Sequence, residues 1–437
     1  MRTFRNRLFT FTMTASLGGL GAFAGLATAA MPAPGSPATG GASGTAAAPA
    51  SAVADRIAVT LANPLAVARP GETIALAAPA LAKVVPGFDV RKALVLDAHG
   101  APVLSQVVDE DGDETPDELV FQSDFAPKET KTFQVVTGTR IPAAPSQYKA
   151  YGRFVRERHD DFAWENDRVA HRVYGPALET YPKEMLISSG IDVWVKRVPK
   201  LLINEWYMTD DYHQDHGEGA DFYSVGKTRG CGGVGIWTAK NGGGELATSH
   251  NFATSRVLAN GPIRLVFELT YGPWDAGGAR LSETKRVTLD AGMLFNHIES
   301  TFTDEAAAED AKKNGARRGV QPTVAIGIAK HPGNVQKFDR KLAWQGDWEP
   351  LDGGKSGHLG CAVMLAPGGK ADAAQTPTDY LLLTSAPARG PLVYYMGSAW
   401  SEATPISDLA AWHAEAQRLS SRLAAPITVK LAATRAR

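Results

Sequence analysis

Short runs of alternating apolar and polar residues, broken by glycine, proline and aspartate, recur along most of this chain. Between Arg56 and about Arg140 the segments IAVTL, ETIAL, ALVLD, PVLSQVV, ELVFQ and TKTFQVV read as short strands separated by turns. From Tyr151 to about Tyr395 the runs lengthen: DRVAHRVYG, GIDVWVKRV, GGVGIW, SRVLA, IRLVFELTYG, LSETKRVTLD, LFNHIESTF, TVAIGIA, CAVMLA, DYLLLTS and LVYYMG. So many long antiparallel strands require large facing sheets. The expected fold is all-β: a small N-terminal β-sandwich over 55–142, then a large antiparallel β-supersandwich over 150–435 with a C-terminal helix. For that helix, Thr404-Pro405 reads as N-cap and first helical residue, and Leu409, Trp412, Leu419 and Leu423 fall near one face. A final strand is expected over 427–431.

Side chains alternate faces along a strand. Over 190–197, Asp192, Trp194 and Lys196 share the face opposite Ile191, Val193 and Val195. Over 294–302, Phe295, His297, Glu299 and Thr301 share one face, and over 167–174 Arg168, Arg172 and Tyr174 share another. A sheet that merely meets solvent is richer in Thr, Ser, Lys and Glu. These mixed faces suit a sugar: aromatic planes for its C–H faces, carboxylates for hydroxyls, cations for acidic groups.

The densest chemistry lies in 206–231, WYMTDDYHQDHGEGADFYSVGKTRGC. One strand or helix face could not bury so many ionisable groups unpaired. On a glycine-broken loop they suggest a polar-ligand site. For β-elimination on a uronide, Arg172 or Lys196 would neutralise the carboxylate, His213 or Tyr212 would remove the α-proton, and Tyr223 would protonate the leaving oxygen. Tyr174, Asp192, Trp194, His216, Glu218, Asp221 and Lys227 are the expected substrate contacts, with His297 and Glu299 on the neighbouring strand. Hydrolysis would instead need a carboxylate pair such as Glu218 and Asp221. Anomer interconversion could use His297 and Glu299. The competing reading is a network of Asp–Arg and His–Asp pairs that only folds the loop. His213 and His216 also raise zinc, although Gly217 and Gly219 argue against the helical turn that spacing needs.

A second motif, DEDGDETPDE over 109–118, places Asp109, Asp111, Asp113 and Asp117 at positions 1, 3, 5 and 9 of a tight turn. Structural calcium is the candidate ion, while Glu114 and Val120 break the EF-hand pattern. The competing reading is an acidic hairpin tip.

Composition narrows the partners. Forty-five basic residues against forty-six acidic ones disfavour a nucleic-acid surface. Arg2, Arg5 and Arg7, an apolar run over 8–26 and Ala27-Thr28-Ala29 read as an export signal over 1–29. An uncharged Ala/Pro/Gly/Ser linker over 30–54 follows. The expected location is periplasmic or secreted, with no membrane anchor after cleavage. Cys231 and Cys361 could pair there, but spacing alone does not show that they meet.

The stretches QVVDEDGDETPDELVFQ, WENDRVAHRVYGPALE, GIDVWVKR, DYHQDHGEGADFYSVGKTRGCGG and GPIR together resemble a bacterial family, domain of unknown function 4861, found in pectin-degradation gene clusters. The resemblance implies pectin-derived or other uronate-containing oligosaccharides and brings no assigned reaction or catalytic residues. The large domain also resembles the galactose-mutarotase-type supersandwich, shared by mutarotases, polysaccharide lyases and non-catalytic sugar binders. The expectation is an exported protein acting on an acidic oligosaccharide, with β-elimination first. A mutarotase-like epimerase, a glycoside hydrolase and a non-catalytic binder are the alternatives.

Overall fold

The structure is a computed structural model that describes residues 56–209, 211–240, 243–314 and 320–434. The expected export signal and linker lie outside these residues.

All six short segments at the start become strands. One sheet runs in the order Thr428–Thr434, Arg56–Ala62, Thr130–Thr137, Ala93–Leu96, Pro102–Val103, and it faces a sheet ordered Arg69–Ala77, Glu118–Phe125, Ser105–Val108. Ile57, Val59, Leu76, Leu119, Phe121 and Val135 fill the space between them. The last strand of the chain belongs to this small sandwich. It pairs with the first described strand from Arg56↔Thr434 to Ala62↔Thr428. Ile427 and Leu431 pack on the small core, and the pairing covers an edge that would otherwise be open.

The large domain is built on an eight-stranded antiparallel sheet. Its order is Thr254–Ala259, Arg264–Asp275, Arg280–Asp290, Phe295–Asp304, Leu392–Trp400, His358–Leu365, Trp344–Pro350, Val335–Asp339. Two five-stranded sheets pack against one face of it. The first contains Ala150–Val155, Asp161–Asn166, Ala170–Val173 and Asp192–Lys196, and the second is centred on Cys231–Lys240, Thr323–Ala329 and Asp379–Ser385. Phe267, Val287, Ile298 and Val363 meet Val193, Val195, Ile326 and Ile328 in the interior. Polar contacts cross it as well. Asn296 Oδ1 accepts from Trp164 Nε1 at 2.9 Å, and Asn296 Nδ2 lies 3.1 Å from His171 Nε2. Burial pulls the His171 imidazole down to about 3, so it stays neutral.

The other face of the eight-stranded sheet is covered from two sides. Helix Leu409–Ala424 lays Trp412 and Leu419 over Trp344, Ala362 and Met364. Its cap is Asp408, whose carboxylate accepts from Ala411 N at 2.8 Å. The expected Thr404 cap instead bonds Trp400 O at 2.9 Å. On the other side, Val108 and Val120 of the small sandwich cover Val266. Gln106 clamps the two domains: its Oε1 accepts from Arg264 N at 2.8 Å and its Nε2 donates to Arg264 O at 2.8 Å. Gly261 is required there, because a Cβ would sit 2.3 Å from the Gln106 amide carbon. The helix is tied to the small domain as well, through Arg422 Nη2 on Glu72 Oε2 at 2.6 Å.

Both cysteines are buried and free. Among the described residues no helix is long and apolar enough to cross a membrane. Trp412 is fully buried. Trp412→Ala is therefore expected to lower unfolding free energy by about 3–5 kcal/mol in urea titration. A change under about 1 kcal/mol would mean that the helix is not part of the cooperative core.

Candidate functional site

The described residues of 206–231 fold back onto the protein. Helix Ile203–Thr209 and the turns that follow lie across the outer face of the first five-stranded sheet, burying Trp194, Trp206, Tyr207 and Tyr212 against one another. Asp192, Trp194 and Lys196 do share a face, as the alternation predicts, but that face is covered. Arg172 is 4% exposed. Its Nη2 donates to Asp192 Oδ2 at 2.6 Å and Asp221 Oδ2 at 3.1 Å, and Asp161 Oδ2 lies 3.9 Å from its Nε. Burial alone would lower its pKa, but Asp192 and Asp221 hold it well above the ordinary value. Lys196 donates to Glu165 Oε2 at 2.6 Å, Asn166 O at 2.8 Å and Lys200 O at 2.6 Å, using all three N–H groups. Neither cation is free to meet a uronate.

The remaining loop candidates disperse. Tyr212 stacks on Trp194 with ring centroids 5.0 Å apart and accepts from Arg158 Nε at 3.1 Å. Tyr174 lies beneath the Arg172 guanidinium. Tyr223 is buried with its ring edge-on to His331 at 4.9 Å. His213 is exposed, its Nδ1 3.2 Å from Asp221 O, and His216 meets Asp211 Oδ2 at 2.9 Å. Glu218 approaches Lys200 at 3.7 Å, while Lys227 points to solvent. The segment is thus mainly the folding network of Asp–Arg and His–Asp pairs.

His297 and Glu299 go elsewhere. Their strand turns Asn296, Ile298 and Ser300 toward the interior, so His297 and Glu299 emerge on the opposite face of the eight-stranded sheet, away from the buried Arg172 cluster. There they line a cavity of about 380 Å³ bounded by the sheet, helix Leu409–Ala424 and the small sandwich. The volume falls in the usual range for small-ligand sites. Strand register assembles the floor in two rows. One row brings Glu268, Arg286 and Glu299 side by side, and the next brings Val266, Thr288, His297 and Tyr395. Arg264 and Asp290 pair at one end, Leu419 and Leu423 form the helical wall, and Glu110 and Glu118 come from the small domain.

The charges divide into paired and available groups. Arg264 binds Asp290 through two bonds of 2.7 and 3.0 Å and Glu118 Oε2 at 2.7 Å. Burial alone would depress this guanidinium, but Asp290, Glu118 and Glu110 hold it above its ordinary value. Arg286 donates to Glu268 Oε1 at 3.1 and 2.8 Å. Among the described residues His297, Glu299 and Tyr395 have no hydrogen-bond partner, although His297 and Tyr395 are cross-strand neighbours with ring centroids 5.3 Å apart. Burial holds the His297 imidazole below its usual pKa against the pull of Glu299, and it pushes the Tyr395 phenol up. The site therefore offers a neutral imidazole, a free carboxylate and a protonated phenol.

Sequence reasoning gave no role to Arg264, Arg286, Tyr395, Glu110 or Glu118. The signal was present: period-2 counting on LSETKRVTLD puts Arg286, Thr288 and Asp290 on one face. In the acidic motif, ligand atoms of Asp109, Asp111 and Asp117 lie within 4.8 Å of one another, and Asp113 stands outside the group. Asp109 caps Gly112 N at 2.7 Å and Glu114 N at 2.8 Å, which gives the turn its shape. Among the described residues this is the one place where three ligand-type side chains gather so closely, so His213 and His216 are not part of such a group.

Fold and cleft together define an all-β protein with a polar cavity where a small sandwich meets a larger one. A family model described as "Domain of unknown function (DUF4861)" matches residues 61–429, and the chain belongs to that family. A curated relative from Formosa agariphila, "Uncharacterized protein P7", is 33% identical over 361 residues, spanning 76% of this chain and 83% of that protein. Among solved structures, a protein in the glycosyl hydrolase family 38 from Enterococcus faecalis aligns over 87% of this chain and 47% of its own, at 9% identity and a TM-score of 0.46. An alpha-mannosidase from Enterococcus faecalis V583 aligns over 87% of this chain and 46% of its own, at 9% identity and a TM-score of 0.39. The chain thus spans about half the length of these two structures.

The buried cluster makes two measurable predictions. Lys196→Met strands the Glu165 carboxylate and is expected to cost about 3–5 kcal/mol in urea titration; full stability would refute the structural role. Burial, opposed by Arg172, lifts Asp161 from 3.8 to about 7. The folded chain then holds this proton more tightly than the unfolded one. Its contribution is complete below the unfolded value of 3.8 and lost as pH rises through about 7. Asp161→Asn should accordingly flatten the fall in urea midpoint between about pH 4 and 7. An unchanged slope counts against it.

Proposed function

We propose that this protein acts on a carbohydrate in the cleft at the domain junction, by acid–base chemistry at an anomeric carbon. The observation that carries the reading is the set of unpartnered groups, His297, Glu299 and Tyr395, presented side by side on a rigid sheet. Interconverting anomers requires a base for the C1 hydroxyl proton and an acid for the ring oxygen. Glu299 supplies the base. Neutral His297 positions the sugar through hydrogen bonds, and Tyr395 supplies a flat edge and a donor.

The charge balance bears on the type of sugar. Glu110, Glu118, Asp290 and Glu299 line the cavity against only Arg264 and Arg286. Both guanidiniums are already committed to carboxylates. That balance favours a neutral sugar over the uronate expected from the sequence. β-Elimination on a uronate is the second reading. It is supported by Arg286 directly opposite Glu299, with His297 as base and Tyr395 as acid. Export to the periplasm or beyond remains part of the proposal and rests on the sequence alone.

The test is incubation with neutral and uronate sugars, read by NMR for anomeric exchange and by mass spectrometry for cleavage. Accelerated anomeric exchange without a mass change is the expected result. An unsaturated uronide product would select the second reading, and binding without any turnover would leave a sugar carrier. Glu299→Gln is expected to cut turnover by about 10²–10⁴-fold with an unchanged thermal midpoint, while His213→Ala keeps full activity. Activity lost in His213→Ala and retained in Glu299→Gln would move the site back to the loop.

A further inference from the structure

The geometry points to Glu110, delivered by the small domain, as the proton donor that completes the cleft. This inference rests on the anomeric reading of the site given above. Glu299 is a base without an obvious acid in the large domain. Burial keeps His297 neutral, and the Tyr395 phenol, pushed up by burial, is a poor donor to a sugar oxygen. Glu118 is held on Arg264 at 2.7 Å. Glu110 is different: it lines the same cavity, and among the described residues its carboxyl makes no hydrogen bond. Its nearest charged partner is Arg264, 3.6 Å from Oε1.

The acidic motif has the form of a positioning device for this side chain. Asp117 Oδ2 accepts from Glu110 N at 2.6 Å, and Asp117 N donates to Val108 O at 2.9 Å, closing the base of the turn. Asp109 caps the tip, and Arg256 of the eight-stranded sheet donates to Asp111 O at 3.0 Å. The backbone of Glu110 is pinned by the turn while its carboxyl reaches the cleft, 3.6 Å from Arg264 Nη1 and without a hydrogen bond among the described residues.

Its surroundings favour the protonated form. Burial pushes the Glu110 carboxyl above the usual range. Arg264 and Arg286 pull it back, and Asp117 and Glu299 add to the rise. Asp290, Glu118, His297 and Tyr395 complete the titratable lining, and the helical wall brings only Leu419 and Leu423. Glu110 and Glu299 thus reach one cleft from two domains, and burial favours the protonated form of Glu110, the group assigned as donor.

The step balances without a further reactant. Glu110 gives its proton to the ring oxygen as the C1–O bond breaks and its electron pair moves to that oxygen. Glu299 takes the C1 hydroxyl proton, whose bonding pair becomes the C=O bond. Rotation and ring closure on the other face of the aldehyde reverse both transfers and restore both carboxyls.

The experiment compares the pH profile of anomeric exchange for the full chain, Glu110→Gln, Glu110→Asp and Glu299→Gln. Wild type should give a bell. Glu110→Gln is expected to lose about 10²–10⁴-fold in rate together with the high-pH limb, at an unchanged thermal midpoint. Glu110→Asp should keep that limb at reduced rate, and it carries the test if the glutamine variant fails to fold. Glu110→Gln with a normal rate and both limbs, beside an inactive Glu299→Gln, would overturn the role of Glu110 alone. A lower rate with the high-pH limb intact would overturn it too. A wild-type chain that exchanges no sugar in the panel overturns the anomeric reading, and the donor with it.

Discussion

A charge taken out of water must be met by a partner in the same layer of the fold. That constraint sorts the ionisable groups of this chain. Arg172 is enclosed by Asp192, Asp221 and Asp161, and Lys196 by Glu165 and two carbonyls. Lys285 meets Glu283 at 2.8 Å and Tyr394 Oη at 3.1 Å in the same way inside the main core. Each cation is buried among its own partners and out of reach of solvent. The groups left over are functionally interesting because burial has not consumed them, and in the cleft they are His297, Glu299, Tyr395 and Glu110.

Strands were the most legible part of the sequence, because a period of two needs only local residues to be seen. Every run singled out in the large domain forms a strand or part of one, and the face assignments for 190–197 and 294–302 hold. What covers a face is a different matter. Nothing within GIDVWVKR says that residues 203–221 fold back over Trp194, so a mixed face looked like a binding face. The same uncertainty hid strand Trp344–Pro350. Its tryptophans point to the helix and its acids point inward, which inverts the usual alternation. Asp347, raised by burial to about 8, and Glu349, 2.5 Å from His331 Nδ1, are the result.

The acidic motif was legible as a turn and misleading as chemistry. Four aspartates at calcium-like spacing drew attention to themselves, although all four accept hydrogen bonds from backbone amides of the same turn. The glutamate between them faces the cleft. The motif QVVDEDGDETPDE and the strand GPIR become intelligible together only in three dimensions, where Gln106 clamps Arg264 and Glu118 binds its guanidinium.

That clamp makes the small sandwich more than an appendage. Gln106 fixes the small domain to the strand carrying Arg264. Arg422 and Glu72 fix it to the helix, and the final strand sews the chain's end into its sheet. Three attachments around one cavity leave little freedom for Glu110 to drift relative to Glu299. A cleft made at a loosely hinged junction would need to close before proton transfer, with the ordering cost falling on every turnover. Here the junction is set during folding, so the spacing of the two carboxyls is a property of the native state. The small domain then cannot be removed as a unit, because the Arg264 face of the cleft would lose both its backbone clamp and two of its carboxylate partners, Glu110 and Glu118.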